Sequence, residues 1–257
     1  MECGGRAKGV RRAVSTVNDG VGLDSADPHA GAPDGGAVRV QRFERSQIGE
    51  AADVLARSFV DEPSLTHAMG GTPRRRLRVL RPFFRGLIWG YWGIGEGHGA
   101  WIDGRLVGVG LRIPPGLWPP RRWDRVRGVG GMLVGALPML IALPGALRWF
   151  ALEADQETRH PLDQKHWYLA WVGVHPAFRR RGVASALAEY VVEKADAAGV
   201  GCYVETYGDA IERLYRRYGF EVRETWDMPD GGPMGRSMWR RPQPRSAGQP
   251  QGAEDAR

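Results

Sequence analysis

The sequence predicts a mixed α/β domain wound around one twisted sheet, and three stretches carry that prediction. Residues 167–174, WYLAWVGV, are an unbroken apolar run without polar alternation, which reads as a strand covered on both faces. Shortly after it, Val183, Leu187, Val191 and Ala195 recur every four residues with Ala184, Ala188 and Val192 beside them, the apolar stripe of a packed helix. Two turn signals, Asp103-Gly104 and Pro229-Asp230-Gly231-Gly232, each separate two β-rich runs. With 257 residues, 42% hydrophobic and 25% charged, one domain with a large core is a better expectation than two.

The elements follow in order. Residues 1–37 are rich in Gly, Ala, Asp and Arg with no sustained period and read as a disordered tail, as do residues 242–257, so the folded domain spans 38–241. The N-terminus lacks the continuous apolar stretch of a secretory signal. Residues 38–41 read as a first strand, and Ser46 as the cap of a helix bearing Ile48, Ala51, Ala52, Leu55 and Phe59. Asp61-Glu62-Pro63 breaks that helix, and a short one follows. Residues 75–92 show a further helical period, its regularity limited by Pro82. The hairpin of residues 100–102 and 106–109 ends at Pro114-Pro115-Gly116. Residues 128–147 carry no charge and are long enough to span a bilayer, but five glycines and two prolines favour a kinked helix walling an apolar pocket. After the buried strand and its helix come a strand over 200–206 and a helix over 210–218 with Gly219 at a left-handed cap. A last hairpin pairs residues 220–226 with 234–240. No internal repeat is visible.

The buried strand feeds a loop, His175-Pro176-Ala177-Phe178-Arg179-Arg180-Arg181-Gly182, that opens a helix. Free main-chain N–H groups and the positive end of the helix dipole then point outward together, a ready anion site. Gly182 presents no Cβ to an approaching phosphate, and the arrangement suits a pyrophosphate. The net charge of +7 does not argue for nucleic acid. The basic clusters at 74–76, 121–122 and 179–181 fall in separate elements, and lysine occurs only at Lys8, Lys165 and Lys194, an arginine skew typical of GC-rich genomes. Two cysteines, Cys3 and Cys202, make no disulfide framework, which fits a reducing cytoplasmic compartment. No metal-ligand spacing is present.

Val174-His175-Pro176 followed by Arg179-x-x-Gly182-x-Ala184 resembles the acyl-CoA loop of the GCN5-related N-acetyltransferases, the GNAT family. The resemblance continues through Val204-Glu205-Thr206 and through Leu214-Tyr215-Arg216-Arg217-Tyr218-Gly219-Phe220. Within the family, the layout from Trp167 to Trp239 is most similar to the puromycin N-acetyltransferase branch. The resemblance covers roughly residues 38–241, most strongly after residue 100. It implies a mostly antiparallel sheet flanked by helices with a helical insertion, and transfer of an acetyl group from acetyl-CoA to a primary amine of a small molecule, an antibiotic or a metabolite. It implies a monomer or homodimer that needs no metal and engages neither nucleic acid nor membrane. The alternative is a non-catalytic acyl-CoA-binding sensor or partner-binding module on the same fold.

Residue roles follow from that resemblance and from the chemistry of acetyl transfer. Val172, Gly173 and Val174 offer main-chain groups to pantetheine and the thioester carbonyl. Arg179, Arg180, Arg181, Gly182, Val183, Ala184 and Ser185 surround the pyrophosphate. Tyr215 stands at the family's proton-donor position, and a phenol stays protonated at neutral pH. By spacing alone it also belongs to the stripe Ile211, Leu214, Tyr215 and Tyr218, as a core tyrosine would. Glu205 shares a strand face with Tyr203, opposite Val200, Cys202 and Val204, and a carboxylate there needs a partner or a task. It is the candidate base or acceptor-orienting group. Asp61 and Glu62 lie in the loop that closes over the acceptor in relatives. His166 and His175 read as exposed boundary residues of the buried strand.

Overall fold

The apolar run forms β4 (His166–Val174), the middle strand of a seven-stranded sheet in the computed structural model, which describes residues 36–92, 94–118 and 143–244. The sheet runs β1 (Arg39–Arg42), β2 (Glu96–Ile102), β3 (Arg105–Ile113), β4, β5 (Gly201–Tyr207), β7 (Met234–Arg240), β6 (Glu221–Asp227). Every neighbouring pair is antiparallel except β4 and β5. Parallel neighbours need a crossover, supplied here by α5 (Val183–Ala198). The turn between β2 and β3 is Asp103-Gly104, both residues at positive φ (49° and 74°), the twist that tight hairpins favour.

Side-chain alternation divides the sheet into two faces. On one, Ala100, Ile102 and Val107 meet Val183 and Leu187 of α5, and further along Trp167, Leu169, Cys202 and Val204 meet Val191, Val192, Ala195 and Tyr215. Tyr215 lies on α6 (Asp209–Arg217). On the other face, Trp101, Leu106, Val109 and Leu111 meet α1 (Ile48–Phe59) and α3 (Pro73–Tyr91). Between these two helices lies α2 (Pro63–Met69), and α4 (Leu143–Glu157) packs on it. Gly145 permits that approach, because a Cβ there would stand 2.8 Å from the Met69 backbone.

One expectation is corrected. Ser46 does not cap α1: it lies within a single 3₁₀ turn, Arg45–Gln47, whose capping box is formed by Glu44 and Gln47, and α1 begins only at Ile48. The local competition went to Glu44 because its side chain and that of Gln47 satisfy each other's main-chain N–H. The helix expected over 75–92 is α3, which runs through Pro82. Val79, Leu80, Phe83, Phe84, Leu87 and Ile88 are all buried around it, and that burial outweighs the roughly 3 kcal/mol a mid-helix proline costs. The apolar segment 128–147 lies outside the described residues except for 143–147, which start α4. Among the described residues no helix is long and apolar enough to cross a membrane.

Two buried histidines make the fold acid-sensitive. His98 packs on Tyr190, with Nη2 of the buried Arg112 within 2.8 Å of its ring nitrogens. A guanidinium can only donate, so the imidazole is held neutral. Burial first, then Arg112, pushes His98 down to about 3, and burial, then His166, does the same to His160. Because the folded values lie below that of the unfolded chain, stability is fully present above about pH 6.5 and is lost as pH falls from there toward about 3. Each histidine should contribute up to about 1.4 kcal/mol per pH unit in that window. Urea midpoints between pH 7.5 and pH 5 should therefore decline, and more shallowly in a His98→Leu variant; equal slopes would refute the assignment.

Candidate active site

The site begins where β4 and β5 part. They pair at His166↔Gly201, Trp167↔Cys202, Tyr168↔Tyr203 and Leu169↔Val204, and no further. Beyond that point β4 stays on β3 as far as Val174, and β5 stays on β7 as far as Tyr207. A bulge explains the parting. Leu111 opposes Trp171 while the next residue, Arg112, opposes Leu169, so Ala170 is an extra residue in β4 immediately after its last pair with β5. Bulges bend the strand and increase its twist, and here the bend opens a wedge between the two strands.

Main-chain groups line this wedge on the β4 side. The N–H of His175 donates to Val107 on β3 at 2.8 Å. Alternate residues of a strand point their N–H groups to opposite sides, so Gly173 also faces β3, whereas Val172 and Val174 face the wedge. The N–H of Val174 meets the Ser58 hydroxyl at 3.1 Å, and that of Val172 points the same way. Gly173 lets Ser58 come this close, since a Cβ there would stand 2.9 Å from the serine side chain.

The loop that follows is shaped for an anion. Arg180 and Gly182 both take positive φ (61° and 73°), and Gly182 caps α5. Ala186 makes the first helical bond, to Gly182, leaving the N–H groups of Gly182, Val183, Ala184 and Ser185 without helical acceptors. Arg180 and Arg181 are exposed, and Arg181 and Arg105 both lie over the Phe178 ring, at 5.4 and 5.3 Å. Arg179 is different. Its guanidinium donates to the Ser58 carbonyl at 3.2 Å. The Ser185 hydroxyl is engaged with Tyr218, so this residue offers the loop its main chain.

Glu205 is the first residue of β5 past the last pair, on the face opposite Cys202 and Val204 as its strand parity requires. Two phenols hold its carboxylate: Tyr168 donates at 2.8 Å and Tyr203 at 2.9 Å. His160 brings Nδ1 to 4.0 Å; its side chain and that of Glu205 are 1% and 4% exposed. The histidine tautomers follow from what their partners can accept. His166 Nδ1 lies 2.7 Å from the Gln164 carbonyl and must carry a proton. Its Nε2 then accepts from His160 Nε2–H at 3.0 Å, which leaves the His160 Nδ1 lone pair facing Glu205. Thus His166 is a buried member of the site's polar core rather than an exposed boundary residue: the strand end is roofed by His160 and Trp239. His175, half-buried, accepts from the Ala177 N–H at 3.2 Å and shapes the loop.

The remaining candidates fall to either side. Tyr215 is buried beneath the vertex of the wedge, in the cluster with Leu169 and Val204, and packs on Phe220 at 5.0 Å. Burial pushes its phenol well above the usual range. Asp61 pairs with Arg76 at 3.0 Å, and Glu62 caps α2 by accepting from Leu65 N–H at 2.8 Å and from the Ser64 hydroxyl at 2.5 Å. Burial pushes the Glu62 carboxyl up despite those bonds. Between them and the wedge stands an aromatic group in which Trp171 meets Phe59 at 5.2 Å, Phe84 at 5.3 Å and Trp149 at 6.0 Å. Ser58, His160, Tyr168 and Trp171 escaped the sequence reading. Only Ser58 carried a signal, a small polar residue inside the apolar stripe of α1.

Among the described residues no group of histidine, cysteine and carboxylate side chains could hold a metal ion. Residues 145–222, which include β4, the anion loop, α5, β5 and α6, match the family model of the acetyltransferase (GNAT) domain. The fold is similar to that of a histone acetyltransferase HPA2 and related acetyltransferase from Corynebacterium glutamicum, at 21% identity and TM-score 0.58 over 82% of this chain and 99% of that one. It is also similar to arylalkylamine N-acetyltransferase 2 from Aedes aegypti, at 16% identity and TM-score 0.50 over 79% of this chain and 98% of the other. The chain thus has a GNAT-type fold, with residues 145–222 matching the acetyltransferase (GNAT) domain model.

Proposed function

We propose that the protein transfers an acetyl group from acetyl-CoA to the primary amine of a small molecule. The observation that carries this reading is the wedge between β4 and β5 beside a loop of free N–H groups. A long ligand with a pyrophosphate at one end and an amide-bearing arm fits both halves: the loop holds the anion, and the edge of β4 offers main-chain partners to the arm. Gly182 has open space where a Cβ would stand, so phosphate oxygens can reach the main chain. Bound there, acetyl-CoA would supply the thioester.

This chain's residues then have distinct tasks. Val172 N–H donates to the thioester carbonyl oxygen and stabilises the charge that gathers on it. Glu205, fixed by Tyr168 and Tyr203, accepts a proton of the incoming ammonium directly or through water, freeing the nitrogen to attack. As the C–N bond forms and the C–S bond breaks, Tyr215 gives its proton to the departing sulfur, and the second proton shed by the nitrogen passes through water to restore the phenol, while Glu205 releases the first to solvent. The raised pKa of Tyr215 keeps the phenol charged with its proton at neutral pH, while making the phenolate costly, so release and capture must coincide. Arg180 and Arg181 face the phosphates from solvent. Asp61 and Glu62 would reach the acceptor only by giving up Arg76 and the α2 cap, so their part in amine recognition is at the rim, with Glu205 at the centre.

Two experiments test this reading. Acetyl-CoA at a hundred times its Kd should stabilise the protein by about 2.7 kcal/mol, seen as a raised melting temperature. Gly182→Asp has room for its side chain but strains the positive φ of 73°, so it should lower the unliganded melting temperature by the equivalent of about 1 kcal/mol, and its carboxylate among the phosphates should abolish the rise with acetyl-CoA; Gly182→Asn, equally strained but uncharged, should keep part of that rise. A chain that shows no shift with any short acyl-CoA does not bind the cofactor.

Tyr215→Phe keeps the ring and its packing on Phe220. Turnover over an amine panel, followed by thiol release, should fall by roughly a hundredfold or more with acetyl-CoA affinity little changed. Glu205→Gln should be impaired at pH 7 and partly recover at higher pH, where more acceptor is already neutral; Tyr215→Phe should not recover. Full activity in both variants would leave main-chain polarisation and proximity as the catalytic devices and remove both side chains from the mechanism.

A further inference from the structure

Ser58 makes two contacts that nothing in the loop motif requires. Its hydroxyl takes the N–H of Val174, a donor that faces the wedge, and its carbonyl takes the guanidinium of Arg179. Both contacts lie in the last turn of α1, which is seated on β4 at Gly173 and whose next residue, Phe59, stacks on Trp171. Ser58 thus joins three things: the acceptor-side helix, the open edge of the cofactor strand, and the anion loop. Arg179 is half-buried with its guanidinium turned inward, whereas Arg180 and Arg181 are exposed.

We infer that Arg179 is a positioning residue, not a phosphate ligand: it ties the anion loop to Ser58, so that the N–H groups of residues 182–185 are already aimed. The same latch keeps Val174 N–H occupied and leaves Val172 N–H to receive the thioester carbonyl, fixing the register of the pantetheine arm on β4. A charged phosphate ligand and a tether differ in what they demand of the side chain. The first needs a positive charge; the second needs an N–H donor of the right reach, which a neutral amide also provides. The inference rests on the acetyl-CoA reading above, but its first test does not.

In the protein without cofactor, Arg179→Met should speed hydrogen exchange at the amides of Val174, His175 and Phe178, and Arg179→Gln should largely restore their protection. Unchanged exchange in Arg179→Met overturns the tether whether or not acetyl-CoA binds. With acetyl-CoA, Arg179→Met should weaken binding by about tenfold, the size of one lost hydrogen bond from a charged group, with rescue to within about threefold by glutamine. The salt dependence of Kd should be the same for the unmodified protein, Arg179→Met and Arg179→Gln, because no phosphate-paired charge has been removed. Arg181→Gln is the contrast: it should flatten the salt dependence. A flattened dependence in Arg179→Met, or no rescue by glutamine, would make Arg179 a phosphate ligand. Failure of the unmodified chain to bind acetyl-CoA would instead sink the functional reading while leaving the exchange result to stand.

Discussion

β4 and β5 pair with each other at only four positions, while each stays on its outer neighbour, β3 or β7, to its C-terminal end, beyond the point where the central pair has ended. The extra residue Ala170 sets this imbalance, and the rest of the site depends on it. A parallel pair that zipped completely would satisfy the main-chain groups of Val172 and Val174 and close the wedge. With the bulge in place, the strand order and the hydrogen bonding of both outer neighbours survive, and a row of aligned donors is left open at mid-sheet. The opening is stable because its cost is small and local: one N–H is met by Ser58, and the flanking side chains are packed on both faces.

The same bulge sorts chemistry between the two faces. Before it, Trp167 and Leu169 face α5 and α6; after it, Val172 and Val174 face α5, while Trp171 joins the aromatic group of Phe59, Phe83 and Phe84. Uninterrupted alternation would have put Trp171 on the α5 side. The shift leaves Tyr215 and the apolar cluster beneath one side of the wedge and Glu205 with its tyrosines beneath the other. The phenol and the carboxylate therefore flank one strand junction without sharing a surface. A carboxylate as buried as Glu205 survives there because both its oxygens receive phenolic hydrogen bonds, which is less costly than leaving either bare.

Much of the scaffold was legible in the sequence, for reasons that also mark where legibility stops. Val183, Leu187 and Val191 announced α5 because a helix on a sheet needs that stripe, and Gly182 announced its start because the cap takes a positive φ. Cys202, Val204 and Glu205 fell on the expected faces because β5 alternates without interruption. The bulge was invisible: an all-apolar run such as WYLAWVGV contains no polar residue to show a change of parity. Ser46 misled because the capping choice between neighbouring polar residues turns on a single main-chain geometry. His160 and Tyr168 were missed because their role lies in distant partners, 45 and 37 positions away at Glu205, which no local pattern encodes.

The histidine pair shows how such distant partners acquire meaning together. Neither His160 nor His166 is exposed, and burial disfavours a charge on both. The Gln164 carbonyl decides the proton on His166, that decision fixes the proton between the two rings, and His160 is left with a lone pair toward Glu205. The carboxylate tolerates that lone pair because Tyr168 and Tyr203 donate to its two oxygens, so a single run of hydrogen bonds from the Gln164 carbonyl and the two phenols sets the protons of the whole buried cluster.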